Sequence, residues 1–289
     1  MVNKFSTLIL CCLVALAACT KTDHSSRTFI QNKGSDTLVN LAQSWAQEYR
    51  NVRPDVAIAV SGGGSGTGIA ALINGTVDIA NASRDIKPEE MEKIRKEHGV
   101  EAVEHVVAYD GVAFFVHPNN PLREVTIEQL ACIYGEGGKC DTWTSLGVEV
   151  PGCSGQEIIR VSRQSNSGTY VFVREHVLGK DRDYKLGSRD MQGSKDVVDL
   201  VSKTPCAIGY SGMGYVTDQV RSLCIAPKEG APCAEPTAEN AKSGKYPLSR
   251  PLYMYTLGEA TGAIAEYLDW IRSPAGQKIV AERGFVPIR

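Results

Sequence analysis

Three short loops rich in serine, threonine and glycine contain the residues of this sequence that are best suited to holding an anion. They are Ser35–Thr37, Ser65–Thr67 and Ser167–Thr169, and each stands directly before a segment with the apolar spacing of a helix. The first turn of a helix has unpaired backbone N–H groups and a partial positive charge, and glycine lets an anion approach them without a Cβ in the way. Helix capping would explain each loop separately. Three such loops together favour a site for a small oxyanion.

Two arginines stand close to these loops and could supply positive charge. Arg84 follows the predicted strand 77–80, and Arg163 follows the predicted strand 157–161. A guanidinium group can bind two oxygens of a tetrahedral anion at once, and ligands of open α/β sheets bind beyond the carboxyl ends of the strands. A surface ion pair would explain either arginine alone, and Asp85 beside Arg84 leaves that alternative open.

Motifs for other kinds of chemistry are weak or missing in the sequence. The segment Gly66–Ala71 matches the loose glycine pattern of dinucleotide loops, but short runs of small residues are common. The sequence has no P-loop, no serine in a nucleophile elbow, and no metal-ligand spacing among its five histidines. We therefore expect no cofactor, no metal and no catalytic activity.

The composition is that of a soluble globular protein without an unusual charge. Of the 289 residues, 43% are hydrophobic and 22% are charged, and the formal net charge is −2. A polybasic surface would be needed to attract nucleic acid or an anionic membrane by charge. Neither is therefore expected as a partner.

The N-terminal residues have the pattern of an export signal. Lys4 precedes an apolar run, Phe5–Ala18, which has the length of a signal-peptide core and is short for a membrane span. The run ends in Leu-Ala-Ala-Cys at Cys19, which resembles the lipobox of bacterial lipoproteins. That resemblance implies a signal peptide of residues 1–18, a lipid on Cys19 and a polar tether over residues 19–28. An ordinary secretory signal with a chance cysteine is the alternative.

Export changes the meaning of the nine cysteines. Three of them lie in or directly after the signal, and an even number outside the cytoplasm favours disulfides. The remaining six are Cys132, Cys140, Cys153, Cys206, Cys224 and Cys233. Six cysteines allow fifteen pairings, so the sequence leaves the pairing open. Their clustering predicts one cross-braced region.

Strands that alternate with helices indicate an α/β fold with a mostly parallel sheet. A charged helix is predicted over residues 88–98, and another helix follows the third loop over residues 169–178. The β-rich stretch 103–117 and a return near residues 246–255 could each pass between two α/β units. Two crossings would make a hinged, two-lobed protein, and one continuous α/β domain is the alternative.

An ordered set of segments resembles the phosphate-binding lipoproteins that serve the bacterial phosphate ABC transporter, within the periplasmic-binding-protein class. The segments cover the chain from about residue 29 to its end. They are KGSDTL (33–38), SGGGSGTG (61–68), VDIANASRDI (77–86), DGVAFFVHPNNP (110–121), RQSNSGTY (163–170), AIGYSGMGY (207–215) and YPLSRPLYMY (246–255).

The resemblance implies a two-lobed periplasmic-binding-protein fold of type II, with two hinge strands and the ligand in the cleft between the lobes. Lobe I would comprise residues 29–109 and 250–289, and lobe II residues 110–249. The implied function is non-catalytic binding of inorganic phosphate outside the cytoplasmic membrane and delivery to an ABC transporter permease, by a monomer that touches the membrane only through its lipid. The implied ligand-binding residues are Ser35, Asp36, Thr37, Ser65, Gly66, Thr67, Arg84, Arg163, Ser167, Gly168 and Thr169.

One position departs from the family pattern. Some members have an aspartate where this sequence has Arg84, and that aspartate accepts the proton of hydrogen phosphate. Here Asp36 could accept the proton instead, and Arg84 could be a second cation on lobe I. Discrimination between phosphate and sulfate or molybdate is therefore left open. A second alternative is an exported phosphate-ester hydrolase, which would need a base near Ser65 or Ser167.

Overall fold

A curved mixed sheet runs through the whole molecule and connects its two lobes. In the computed structural model, which describes residues 27–288, nine strands form this sheet and two more form a small parallel pair. The strands are β1 (Thr28–Gly34), β2 (Val56–Ser61), β3 (Ile79–Ala82), β4 (Ala102–Val116), β5 (Glu124–Thr126), β6 (Ile159–Arg163), β7 (Arg189–Met191), β8 (Ala207–Gly212), β9 (Arg221–Ser222), β10 (Cys224–Ala226) and β11 (Ser249–Leu257).

Helices connect the strands and cover the sheet. They are α1 (Val39–Val52), α2 (Ser65–Ile73), α3 (Pro88–His98), α4 (Ile127–Tyr134), α5 (Gly168–Val173), α6 (Ser194–Ser202), α7 (Ala238–Lys242), α8 (Gly262–Arg272) and α9 (Pro274–Glu282). The predicted bounds of α3 are confirmed: Pro88 opens the helix and Gly99, with φ of 69°, ends it. The predicted helix over 169–178 is only partly correct, because α5 ends at Val173 and a wider π-type turn continues to Leu178.

The sheet is parallel toward its two ends and antiparallel in its middle. Its order is β2-β1-β3-β11-β4-β8-β6-β7, with β9 also beside β4. β1 pairs in parallel with β2 and β3, and β6 pairs in parallel with β7 and β8. β11 pairs antiparallel with β3 and β4, and β4 pairs antiparallel with β8. The expectation of a mostly parallel sheet therefore fails at the centre, where β4 and β11 run in opposite directions.

The long strand β4 belongs to both lobes. Its residues 102–111 pair with β11, and its residues 112–116 pair with β8. The change of partner falls at Gly111, where an added Cβ would lie 3.1 Å from Tyr246 and 3.2 Å from Met213. β11 starts beside this point, because the Val112 amide donates to the Leu248 carbonyl. The two expected crossings are thus the neighbouring strands β4 and β11, and the predicted two-lobed α/β fold is confirmed.

Two of the three apolar clusters lie within one lobe each, and the largest cluster extends into both. One apolar cluster is drawn only from residues 112–248 and forms the core of the second lobe. A second cluster, between α2, α3 and β11, lies wholly in the first lobe, and the largest one lies under α1, α8 and α9 and continues to α6. Burial of these side chains is the main stabilising term for both lobes.

Three disulfides brace the second lobe, as the clustering of cysteines predicted. They join Cys132 to Cys140, Cys153 to Cys206 and Cys224 to Cys233. The pairing, which the sequence left open, joins consecutive cysteines in all three cases, with sequence separations of 8, 53 and 9 residues. Cys19, the expected signal peptide and most of the expected tether lie outside the described residues. Within residues 27–288, no helix combines the length and apolar character that crossing a membrane requires.

Candidate functional site

Buried hydroxyl groups from both lobes meet where the two lobes touch. The Ser35 hydroxyl donates to Ser83 Oγ at 3.0 Å, and Ser65 Oγ lies 3.3 Å from Ser83 Oγ and accepts the Ser83 amide at 3.0 Å. Thr37 Oγ1 of the first lobe lies 3.0 Å from Thr169 Oγ1 of the second. Each of these five residues exposes 2% or less of its surface. We call Ser35, Thr37, Ser65, Ser83 and Thr169 the hydroxyl cluster.

Strand ends and helix starts place these hydroxyls together. β1 and β3 are parallel neighbours, so Ser35 and Ser83 follow them at the same edge of the sheet. Ser65 is the first residue of α2, and Thr169 lies in the first turn of α5. The first amides of these helices have acceptors outside the helical ladder: the Gly66 amide donates to the Asn166 carbonyl, and the Thr169 and Tyr170 amides donate to Ser167 Oγ.

The close contact between the lobes depends on glycine at position 168. A Cβ added there would overlap the Ser65 hydroxyl and lie 2.6 Å from Ser83 Oγ, both in the opposite lobe. Gly168 begins α5 with an ordinary backbone conformation, so it is needed for the space it leaves and not for its φ angle.

Arg250 lies against the hydroxyl cluster and was not among the predicted site residues. Its Nη2 donates to Thr169 Oγ1 at 2.9 Å and to Thr37 Oγ1 at 3.3 Å, and its Nη1 donates to the Ser83 carbonyl at 3.0 Å. Its guanidinium carbon lies 5.3 Å from the centre of the Phe172 ring. Arg250 is 3% exposed, so it supplies a positive charge that water screens little.

A carboxylate on the other hinge strand holds this arginine. Asp110 Oδ2 accepts from Arg250 Nε at 3.1 Å and Nη2 at 2.9 Å, and Asp110 Oδ1 accepts the Met213 amide at 3.1 Å. Burial raises the pKa of the Asp110 carboxyl, and the adjacent guanidinium opposes that rise. The two residues face each other in the β4–β11 ladder, so the ion pair sits at the crossing between the lobes.

A second ion pair joins the lobes beside the cluster. Arg163 Nη2 donates to Asp36 Oδ2 at 3.1 Å, and Asp36 Oδ1 accepts the Gly63 amide at 2.8 Å. Arg163 also donates to Ser194 Oγ at 3.0 Å and to the Gln192 carbonyl at 2.6 Å. Burial lowers the pKa of Arg163 while Asp36 opposes the change, and a guanidinium stays protonated under such conditions.

The glycine-rich loop of the first lobe contacts the loop of the second lobe through one asparagine. Asn166 Nδ2 donates to the Gly63 carbonyl at 2.8 Å and to Thr67 Oγ1 at 3.2 Å, and the Asn166 carbonyl accepts the Gly66 amide at 2.9 Å. A Cβ on Gly64 would lie 2.6 Å from the Asn166 carbonyl oxygen. The predicted residues Gly66 and Thr67 therefore contact the opposite loop and not the hydroxyl cluster.

Arg84, expected as a second cation of the site, is paired with a carboxylate of α3. Its Nη1 and Nη2 donate to the two carboxylate oxygens of Glu90 at 2.8 and 2.7 Å, and Nη1 also donates to the Asp85 carbonyl at 2.7 Å. Burial alone would raise the pKa of the Glu90 carboxyl, but hydrogen bonds from Arg84 and the Lys87 amide hold it below its usual value of 4.5. α3 thus provides a bidentate partner for the Arg84 guanidinium.

Within residues 27–288, neither serine that a hydrolase would use is hydrogen-bonded to a general base. Ser65 Oγ contacts the side chain and amide of Ser83, and Ser167 Oγ accepts the amides of Thr169 and Tyr170 as the N-cap of α5. Neither hydroxyl hydrogen-bonds to a histidine or a carboxylate among the residues that the structure describes. The same part of the chain contains no group of three or more His, Cys, Asp or Glu side chains arranged to hold a metal.

The site residues that sequence reasoning missed carried a recognisable signal. Ser83 immediately precedes Arg84, and Asn166 lies inside the loop that was singled out. Asp110 and Arg250 are opposite charges inside the two long segments expected to cross between lobes, where the only other acidic or basic residue apart from histidine is Glu104. A charge inside a buried strand needs a partner, so these two could have been paired with each other.

Comparison with known proteins places this architecture in a family. A family model described as a PBP superfamily domain matches residues 20–275. Phosphate-binding protein PstS of Pseudomonas aeruginosa PAO1 is 35% identical over 269 residues, which cover 90% of this chain and 83% of that protein. Phosphate-binding protein PstS of Bacillus subtilis is 33% identical over 260 residues, covering 88% and 79% respectively.

Solved structures agree with the sequence relatives. A Clostridium perfringens protein, assigned as the substrate-binding protein of a phosphate ABC transporter and solved with phosphate bound, superposes with a TM-score of 0.80 at 30% identity, covering 91% of this chain and all of that one (100%). An ABC-type phosphate transport receptor from Vibrio cholerae superposes with a TM-score of 0.69 at 26% identity, covering 89% and 99%. The chain therefore belongs to the PBP superfamily, in the family of the PstS proteins.

Proposed function

We propose that this protein binds inorganic phosphate between its two lobes and delivers it to an ABC transporter. The observation that carries the proposal is the hydroxyl cluster, where five buried hydroxyls from both lobes meet beside Arg250 and two helix N-termini. Hydroxyls, backbone amides and a guanidinium can all donate to the oxygens of a tetrahedral anion. The names of the relatives, which are phosphate-binding proteins, support the choice of phosphate.

The proposed ligand contacts follow from the placement of each predicted residue. We assign ligand binding to Ser35, Thr37, Ser65, Thr169 and the Gly168 amide. Asp36 and Arg163 form the ion pair that closes the lobes beside them. We leave Arg84 out of the site because Glu90 occupies its guanidinium.

Binding without catalysis is the function that the geometry favours. An ester hydrolase would need a base to activate Ser65 or Ser167, and the described partners of both hydroxyls are another serine and backbone amides. Sulfate and molybdate have similar shapes, and no contact in the site favours either of them over phosphate. The relatives are named for phosphate transport and not for an enzymatic reaction.

We also propose the domain limits and the membrane attachment that the sequence indicated. Lobe I comprises residues 29–109 and 250–289, and lobe II comprises residues 110–249, which agrees with the partner change of β4 at Gly111. The protein is exported by the signal of residues 1–18 and is anchored as a monomer through a lipid on Cys19, with residues 19–28 as the tether. The transporter permease is the proposed protein partner.

Calorimetric titration of the purified chain with phosphate tests the function. We expect a Kd in the micromolar range or below, with one site per chain and little competition from sulfate at pH 6 or pH 8. Thr169→Val should weaken binding about tenfold or more, because it removes a hydroxyl but keeps the shape.

Thr256→Val is the matched control for this titration. Thr256 is also a buried threonine with two hydrogen-bond partners, His105 and the Gly258 carbonyl, but it lies away from the cluster. It should bind phosphate like the wild type. Absence of heat with phosphate, together with clear binding of sulfate or molybdate, would overturn the choice of ligand.

A further inference from the structure

Arg250 makes contact with both lobes through a single nitrogen atom. Nη2 donates to Thr37 Oγ1 of the first lobe and to Thr169 Oγ1 of the second, at 3.3 and 2.9 Å. The two hydroxyls also lie 3.0 Å from each other. This arrangement exists only while the lobes are together, because the two threonines belong to loops on opposite sides of the cleft.

The contact also determines the direction of the threonine hydroxyl protons. A guanidinium group has donors and no acceptor, so the oxygens of Thr37 and Thr169 can only accept from it, and they share the one Nη2 proton that Asp110 leaves. When both oxygens accept, at least one hydroxyl proton is left to be donated to another group. A site made of donors suits an anion such as phosphate, whose oxygens accept hydrogen bonds.

The ion pair with Asp110 keeps Arg250 in this orientation. The Asp110 carboxylate accepts hydrogen bonds from Nε and from one N–H of Nη2, and the Ser83 carbonyl accepts one from Nη1. Asp110 is fully buried on β4 and Arg250 is 3% exposed on β11, at the point where both strands cross between the lobes. The guanidinium of Arg250 is thus held at the hinge, and the loops that contain Thr37 and Thr169 contact it when the lobes are together.

We propose that Arg250, held by Asp110, is a positioning residue that couples lobe closure to anion binding by orienting the Thr37 and Thr169 hydroxyls as donors. The proposal rests on the proposed function, because the anion whose binding it describes is phosphate. On this proposal, the hinge residues Arg250 and Asp110 contribute to phosphate affinity as well as joining the two lobes. Arg84 and Arg163, which the sequence singled out, satisfy most of their donors on Glu90, Asp36 and Ser194.

The test replaces the ion pair by apolar residues of similar size and compares two buried pairs. The variant is Asp110→Leu/Arg250→Met, since exchanging a whole buried pair for apolar residues is often neutral for stability. The matched control is Arg84→Met/Glu90→Leu, which removes a second buried arginine–carboxylate pair that has no hydrogen bond to the cluster. Phosphate affinity and stoichiometry are measured by calorimetry, and the radius of gyration by X-ray scattering with and without saturating phosphate.

The two readouts separate coupling from a structural defect. We expect the hinge variant to bind phosphate at least tenfold more weakly at an unchanged stoichiometry and to lose the phosphate-induced compaction of the wild type. The control variant should keep a phosphate Kd within about twofold of the wild type and should keep the phosphate-induced compaction. A defect in folding would lower the stoichiometry and leave the Kd of the folded fraction unchanged.

Arg250→Lys provides the same test if the double variant does not fold. Lysine keeps the charge beside Asp110 but presents one nitrogen, so it cannot serve Asp110, Ser83 and both threonines together. A wild-type Kd and wild-type compaction in either hinge variant would overturn the inference. A wild-type protein that fails to bind phosphate would instead refute the proposed function.

Discussion

At the scale of single residues, three buried arginines have three different partners and therefore three different roles. Arg84 is bound by Glu90 within lobe I, Arg163 joins Asp36 across the lobes, and Arg250 joins Asp110 at the hinge. A buried guanidinium is stable only with a carboxylate or carbonyl partner. The position of the partner, and not the arginine itself, decides whether the charge reaches the hydroxyl cluster.

Arg84→Ala should destabilise the fold and leave phosphate binding of the folded protein unchanged. Removing one member of a buried pair leaves Glu90 without its guanidinium, which we expect to cost about 3 kcal/mol of unfolding free energy at pH 7. The pKa of Glu90 is held below 4.5 in the folded wild type, so the pair stabilises above that pH and its contribution is lost as the pH falls. The difference in urea midpoint between variant and wild type should therefore stay nearly constant from pH 7 to about pH 5 and shrink as the pH falls below 4.5.

The double variant Arg84→Met/Glu90→Leu is the control for this prediction. It removes the unpaired carboxylate, so it should recover most of the lost stability at pH 7. A large loss of phosphate affinity in Arg84→Ala, with an unchanged urea midpoint, would place Arg84 in the ligand site and contradict the structure.

At the scale of elements, the start of α5 packs so closely against lobe I that a side chain at position 168 would overlap it. Gly168 begins this helix, and its Cα faces the hydroxyls of Ser65 and Ser83. Alanine is a better helix former than glycine by up to about 1 kcal/mol, so Gly168→Ala should not lower the urea midpoint of the phosphate-free protein. Its methyl group obstructs only the contact between lobes, so phosphate should bind about tenfold more weakly or worse.

Gly66→Ala is a graded comparison for the same effect. Its Cβ would lie 3.2 Å from the Asn166 carbonyl, a milder contact than the overlap at Gly168. We expect a smaller loss of affinity by calorimetry. If Gly168→Ala lowered stability and kept the wild-type Kd, the contact between α5 and lobe I would be irrelevant to binding.

At the scale of the whole molecule, the lobes differ in how they are stabilised. The three disulfides all lie in the second lobe, and the one that spans the most sequence joins Cys153 to Cys206, 53 residues apart. The pair Cys132–Cys140 closes a separation of only 8 residues. Because a crosslink restricts the unfolded chain more when its loop is longer, we expect a loss of about 4 kcal/mol for the double alanine variant at 153 and 206 and about 2.5 kcal/mol at 132 and 140.

Urea unfolding of the two double variants and of the wild type, with the remaining disulfides kept oxidised, measures this difference in unfolding free energy. The order of the two losses is the sharper prediction, because strain and residual structure alter their absolute size. Phosphate affinity should change little in both, since the disulfides lie away from the hydroxyl cluster. An equal loss in the two variants would mean that the loop lengths do not control stability here.

The sequence by itself determined the local elements, the two-unit α/β class, the three hydroxyl loops and the braced second half of the chain. These features depend on short-range spacing, such as the helix from Pro88 to His98, the glycines before α2 and the serine that caps α5. The family resemblance added the two lobes and the expectation of phosphate.

Only the tertiary structure decided which charges meet. Arg84 and Glu90 are six residues apart, but Asp110 and Arg250 are 140 apart and meet because β4 and β11 are antiparallel neighbours. The same long-range pairing made the centre of the sheet antiparallel and brought Thr37 to Thr169. Strand order and register decide which side chains meet when they are this far apart in sequence. The spacing of residues along the chain does not reveal strand order or register.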